Sequence, residues 1–376
     1  MATGIKYWLA LSRVKGIGRL NYKALIDEFK EPEVIFEAPV KRLEEIPGIG
    51  KKTALNIKNF REWSLVEKEI GLIEKHGVKF LTLSDTGYPE ILLSIVDPPP
   101  YLYVKGAICK DDNNAIAIVG TRIPTPYGLA TSERISRELA GLGITIVSGM
   151  ARGIDSAAHR GALAAKGRTI AVLGCGVDRV YPPENKKLYE QIISNGAVIS
   201  EFPIGAPPLP ENFPQRNRII SGLVKGVLVA EASLRSGSLI TARLALDYGR
   251  DVFALPGSIT SSQSKGTNNL IKQGAKLVED ARDILEEISM NMSVGQGLSP
   301  AATIKGCHIA GTTNEMRPRL SSDEEKIINL LDEPCLIDTL IQKTGFTAQR
   351  ASALLLDMEL KGLIQQQAGK QFTRRI

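Results

Sequence analysis

The sequence predicts an α/β protein: a doubly wound parallel sheet, with a helical segment before it and a winged helix after it. Three observations carry that expectation. Apolar runs recur at Ala115–Val119, Ile144–Val147, Thr169–Leu173, Ala197–Ile199, Val227–Ala230 and Val252–Leu255. Helix-length stretches, such as Ser132–Leu142, Asp155–Ala165 and Ser238–Tyr248, lie between them. Strands that are apolar throughout are buried on both faces, and their alternation with helices implies a Rossmann-like parallel sheet. Finally, Gly120, Ser148-Gly149, Gly174 and Pro256-Gly257 stand just past strand C-terminal ends. Open α/β sheets bind their ligands at that edge.

At 376 residues the chain exceeds one ordinary core, so several domains are expected. The composition shifts divide it into a helical segment (1–80), the sheet (81–290), a linker (291–319) and the winged helix (320–376). A mean hydropathy of −0.03 describes a globular, water-soluble chain, and a net charge of +6 with pI near 9.0 suits a polyanionic partner. Cys109, Cys175, Cys307 and Cys335 form no CxxC pair, and His76, His159 and His308 are scattered. No metal site is expected, and the thiols read as inert ones in a reducing cytosol. The stretch Tyr7–Leu11 is too short for a signal-peptide core, and no apolar run of about 18 residues follows. A cytoplasmic location without a membrane span is therefore expected.

In the first segment Val14-Lys15-Gly16-Ile17-Gly18-Arg19 and Ile46-Pro47-Gly48-Ile49-Gly50-Lys51 share one pattern, apolar-x-Gly-Ile-Gly-basic. Such a turn resembles a helix-hairpin-helix, in which backbone N–H groups approach a phosphate. The same turns equally suit simple packing of two helices, and the pattern leaves both open. Asp97-Pro98-Pro99-Pro100 is a stiff, extended break. After the Gly- and Ser-containing linker, Ser322 and Glu325 have capping-box spacing. Helices over Leu336–Thr344 and Thr347–Lys361 and a hairpin over Gly362–Thr373 complete a winged helix. Its expected recognition helix holds Arg350 and Lys361 against Asp357 and Glu359, too little positive charge to carry a DNA-binding claim.

No nucleotide-hydrolysis signature is present. Gly48-Ile49-Gly50-Lys51-Lys52-Thr53 lacks P-loop spacing, and Gly174-Cys175-Gly176 lacks the third glycine of a dinucleotide fingerprint. No nucleophile elbow stands on a strand-to-helix turn. Neither a cofactor nor a catalytic group is expected. Four loops instead offer small residues, hydroxyls and arginines at one rim: Gly120-Thr121-Arg122, Ser148–Asp155 with Gly149 and Arg152, Phe213–Gly222 with Arg216, Asn217 and Arg218, and Ser236–Ala242 with Gly237, Ser238 and Thr241. Orphan N–H groups at helix N-termini and guanidinium forks suit phosphates.

Those four strings, with Tyr181-Pro182-Pro183-Glu184-Asn185 and Ile199-Ser200-Glu201-Phe202-Pro203, resemble the DprA/Smf family of bacterial DNA-processing proteins over about residues 80–285. The resemblance implies a single-stranded DNA-binding homodimer that loads the RecA recombinase in natural transformation. It also implies that Arg122 grips a phosphate and that Phe213 contacts a base. Pro210 departs from the pattern, standing where some relatives have a lysine. An enzyme of the wider superfamily, a nucleoside-5′-monophosphate phosphoribohydrolase, is the alternative. Such enzymes need an acid after Pro-Gly-Gly-x-Gly-Thr, which Ser236–Ala242 lacks. Glu231 and an Asp155–His159 pair remain as candidates, and binding is favoured over catalysis.

Overall fold

The computed structural model describes residues 2–295 and then 326–331, 335–347, 350–351, 354–355, 358, 364–367 and 371–374. Residues up to about 301 form one compact unit and those beyond it a second.

The first unit is built on a nine-stranded sheet in the order β1-β2-β6-β5-β4-β3-β7-β8-β9. Its strands are β1 (Lys79–Thr82), β2 (Tyr101–Gly106), β3 (Ala115–Val119), β4 (Thr145–Ser148), β5 (Thr169–Val172), β6 (Gly196–Ser200), β7 (Gly226–Val229), β8 (Asp251–Ala254) and β9 (Lys276–Leu277). From β3 to β9 every pairing is parallel. The chain runs outward from β3 through β4, β5 and β6, then returns to β7 on the other side of β3. That reversal creates a crevice between β3 and β7, the topological switch point.

The sheet is mixed rather than purely parallel: β2 joins β6 antiparallel, and β1 joins β2. Sequence periodicity missed this pair because no full crossover helix separates β1 from β2. A short helix and the proline break Pro98–Pro100 turn the chain straight back, with Tyr88 donating its hydroxyl to Pro99 O at 2.7 Å.

The helices before the sheet are α1 (Ala2–Arg13), α2 (Arg19–Phe29), α3 (Pro32–Glu37), α4 (Val40–Glu44), α5 (Lys51–Lys58) and α6 (Trp63–Lys75). They share one core with the sheet: Trp8, Leu25 and Ile57 cluster with Tyr101, Leu173 and Val198. The two glycine turns lock onto each other, since Asn21 Nδ2 donates to both Gly16 O and Gly48 O at 3.2 Å. Both glycines need the positive φ they adopt, 98° and 86°.

The remaining helices are α7 (Glu90–Leu93), α8 (Pro126–Gly141), α9 (Ile154–Ala164), α10 (Lys186–Asn195), α11 (Asn212–Gly222), α12 (Ser238–Asp247), α13 (Lys265–Lys272) and α14 (Ala281–Gly295). Alternate β3 residues feed opposite layers. Ala115, Ala117 and Val119 cluster with Ile219 and Ala242, whereas Ile116 and Ile118 cluster with Ile135 and Ala158. α14 runs to Gly295, past the start expected for the linker; the rest of the linker, Ser322 and Glu325 lie outside the described residues.

In the second unit β10 (Cys335–Leu336) and β11 (Ile364–Gln367) flank β12 (Gln371–Arg374). A helix over Ile337–Thr344 follows β10, and Ile328, Leu340, Leu355 and Phe372 form the core, as a winged helix requires. Arg350 is helical and exposed; Asp357, Glu359 and Lys361 fall outside the described residues.

Candidate nucleic-acid site

Over the switch point lies a cavity of about 570 Å³, within the size range of small-ligand sites. Gly120, Thr121 and Arg122 come to it from the end of β3, and Phe213, Arg216 and Asn217 from α11. Ser236, Gly237, Ser238 and Thr241 come from the start of α12. Gly149 and Arg152 line a smaller adjoining recess, and Arg122, Ala151, Tyr181 and Phe213 form the wall common to both. All four predicted loops thus meet in the cavity, the second of them through Ala151 and Asp155.

The exposed guanidinium of Arg122 makes no hydrogen bond or ion pair among the described residues; it lies over the Phe213 ring, 5.2 Å from the centroid. Tyr181 packs against the same ring at 5.7 Å and 37°. Gly174 permits this, since a Cβ there would stand 3.0 Å from Phe213 Cδ1. Phe213 is half-buried and sits in the first turn of α11, not in a loop as its sequence suggested. The cluster Pro207, Pro208, Pro210 and Pro214 disguised a helix start, although proline is well tolerated there. Pro210 itself lines the cavity.

Arg216 is a buried cation, 4% exposed, at the cavity floor. Its Nη1 donates to Gly149 O at 2.8 Å and to Val172 O, while its Nε has no partner. The guanidinium lies against Gly149, where any Cβ would collide with it. Burial pulls the Arg216 pKa down, and the nearby Asp155 carboxylate opposes that. Burial likewise raises the Asp155 pKa, countered by Arg216 and by the Ala151 and Gly149 amides it accepts from. A buried guanidinium with an unfilled donor beside an open cavity is an anion site in chemical terms.

At the α12 N-terminus Ser238 N–H donates to Ser236 Oγ at 3.4 Å, the Ser236 and Ser238 hydroxyls lie 2.8 Å apart, and Asn217 Nδ2 reaches Gly237 O at 3.4 Å. The positive end of the helix dipole and these two hydroxyls add to the anion-attracting rim.

Two predicted residues are placed elsewhere. Ser148 is fully buried and donates to Ile118 O at 2.7 Å, tying β4 to β3. Arg218, expected to hold a phosphate beside Arg216, is 4% exposed and paired with Glu201 and Asp97 inside the unit. Helical geometry explains the split, because residues two apart point to different faces. Arg152 is paired with Glu184 at the surface, a contact of little strength that leaves the arginine able to swing.

The carboxylates weighed for catalysis are otherwise engaged. Glu231 is 2% exposed and accepts from both the amide and the hydroxyl of Thr125. Asp155 and His159 do not pair; His159 Nδ1 lies 2.7 Å from Thr169 Oγ1 instead. Tyr181 was missed as a site residue, though the scarcity of aromatics, 5% of the chain, singles it out as it does Phe213.

These features define a class: an α/β protein with a tandem helix-hairpin-helix before its sheet, a winged helix after it, and an arginine-and-aromatic pocket at the switch point. The family model of DNA recombination-mediator protein A matches residues 79–289, that of the DprA winged helix domain residues 313–370, and that of the SAM-like helix-hairpin-helix tandem residues 9–61. The chain belongs to the DprA/Smf family of DNA-processing proteins. It is 36% identical to Protein Smf of Synechocystis over 98% of both chains. It is 46% identical to the DNA processing protein DprA of Streptococcus pneumoniae over 57% of this chain and 77% of the relative. Among solved structures, DprA of Streptococcus pneumoniae superposes with a TM-score of 0.66 at 36% identity, covering 75% of this chain and 97% of that one. DNA processing protein A of Helicobacter pylori, solved for its single-stranded DNA binding mode, gives 0.51 at 34% identity, over 57% and 97%. Among the described residues no helix is long and apolar enough to cross a membrane.

Proposed function

We propose that the switch-point pocket holds single-stranded DNA, and that the chain, as a cytoplasmic homodimer, protects incoming strands and loads a RecA-type recombinase onto them. One observation carries the binding step: an arginine without hydrogen bond or ion pair among the described residues rests on an aromatic ring, in a cavity that also holds a buried guanidinium with an unpartnered Nε and the hydroxyl-bearing N-terminus of α12. Phosphate charge meets Arg122, Arg216 and the Ser236 and Ser238 hydroxyls at the start of α12, and a base meets Phe213 and Tyr181. Such contacts ignore sequence, because every nucleotide has a phosphate and a π-face. The single-stranded DNA binding of the Helicobacter pylori relative supports this reading. The dimer and the recombinase rest on family membership. A non-catalytic role is favoured over the phosphoribohydrolase because both Glu231 oxygens are occupied by Thr125.

The test is anisotropy of labelled single-stranded and duplex DNA over a salt series. Single strands should bind tighter. Arg122→Ala should weaken them whatever their sequence, lowering the salt slope by about 0.7 because one phosphate is no longer neutralised. Unchanged affinity in folded Arg122→Ala protein removes the pocket from the reading.

A further inference from the structure

The helix carrying Phe213 and Arg216 is anchored from an unexpected direction. Arg19, the basic residue of the first glycine turn, does not face outward. Its Nη2 donates to Gln215 Oε1 at 2.6 Å and to Glu201 Oε1 at 3.2 Å, and its Nη1 lies 4.0 Å from Asp97 Oδ2. Gln215 stands between Phe213 and Arg216 on α11.

One turn further along α11, Arg218 holds the same two acids. It pairs with Glu201 through Nη2, donates to Asp97 O through Nη1 at 2.6 Å, and its Nε lies 3.4 Å from Asp97 Oδ2. Tyr248, just past the end of α12, donates to Asp97 Oδ1 at 3.1 Å. Two arginines thus face two carboxylates. Burial raises the Glu201 pKa, and Arg218 and Arg19 are the charges that oppose it. Without Arg19, a carboxylate 9% exposed keeps one cation where it had two, and the first turn of α11 loses its tie to α2.

We propose that Arg19 is a positioning residue for the single-strand site: from the helical segment it fixes the first turn of α11, and with it the Phe213 ring. The inference rests on the proposed DNA reading of that pocket. It gives the hairpin arginine a role in binding that involves no phosphate contact. The geometry is cooperative, since Gln215 and Arg218 are three apart on one helix and both end on the cluster that Arg19 closes.

The experiment measures single-strand affinity, its salt slope and the melting temperature for the full chain and for Arg19→Ala, Gln215→Ala, Phe213→Ala and Arg19→Ala/Phe213→Ala. Gln215 is exposed, and its replacement cuts the same link without disturbing the carboxylates, so it stands in should Arg19→Ala fold poorly. Arg19→Ala and Gln215→Ala should each lose roughly three- to tenfold in affinity with an unchanged salt slope, the scale of one ordinary hydrogen bond, because the link acts on the ring and not on the DNA. In the Phe213→Ala background, Arg19→Ala should cost little more, because the ring it positions is gone. A slope lowered by about 0.7 in Arg19→Ala overturns the inference in favour of direct phosphate contact. Full additivity with Phe213→Ala, or unchanged affinity in both link variants, overturns it as well. If Phe213→Ala itself leaves affinity intact, the reading of the pocket fails instead, which separates the two outcomes.

Discussion

Arg122 covers part of the Phe213 ring, against which Tyr181 also packs. A guanidinium 5.2 Å from a ring centroid is held there by the ring's quadrupole, a contact of about 0.5–1 kcal/mol at an exposed position. A base approaching that part of Phe213 therefore meets Arg122 first, and a phosphate that draws Arg122 aside uncovers the ring. The two residues are coupled, and the coupling has a sign that can be measured. Against an ordinary phosphodiester strand, Arg122→Ala should bind more weakly. Against a methylphosphonate strand, which carries no backbone charge, it should bind roughly two- to fivefold more tightly, because no cation then has to be moved off the ring. Equal losses on both strands would show that Arg122 does not cover the stacking face. Gly149 belongs to the same residue-scale logic: only a residue without Cβ lets the Arg216 guanidinium lie flat at the strand ends.

At the scale of elements, the parallel strands were legible because burial on both faces leaves an unbroken apolar run. All six expected strands overlap β3 to β8 to within a residue or two at each end. The antiparallel pair β1–β2 was not legible, since its partner contacts are non-local and its alternation is short. The rim loops were legible from their small residues and hydroxyls. The division between Arg216 and Arg218 was not, because it depends on α11 being a helix at that point. α9 shows a further property that sequence leaves hidden. His159 is fully buried, its Nε2 has no partner, and burial, with Arg216 and Arg160 adding to it, lowers its pKa to about 3. An unfolded histidine titrates near 6.5. Between those values the unfolded chain binds a proton that the folded chain refuses, so stability rises with pH there. The contribution is complete above about 6.5 and is lost as pH falls toward 3, at no more than about 1.4 kcal/mol per pH unit. Asp155 and Glu201, whose pKa values are raised by burial, act in the opposite direction at the acid end. The difference between wild type and His159→Gln isolates the histidine: urea midpoints from pH 7 to 4 should fall less steeply in the variant. Parallel pH profiles would mean that His159 takes up its proton as readily in the folded protein as in the unfolded chain.

For the whole molecule, charge indicates which part meets the polyanion. Residues 320–376 carry seven Lys and Arg against eight Asp and Glu, so the chain's net charge of +6 arises entirely before them. Every residue placed around the pocket lies between 119 and 241, in a unit whose sheet and helices share continuous cores of their own. The division into a DNA-holding body and a C-terminal module proposed from the sequence therefore makes a quantitative statement. A chain of residues 1–295, which ends where α14 ends, should keep the single-strand affinity of the full chain within about twofold and the same salt slope, because counterion release depends on the phosphates neutralised and the groups that neutralise them all remain. If the dimer forms through the sheet domain, light scattering at micromolar concentration should give twice the chain mass for both lengths. Recombinase loading onto coated single strands, measured for both, then assigns the partner surface to one unit or the other. A tenfold loss of affinity on truncation, with the shorter chain still folded, would place part of the DNA path on the winged helix despite its net negative charge.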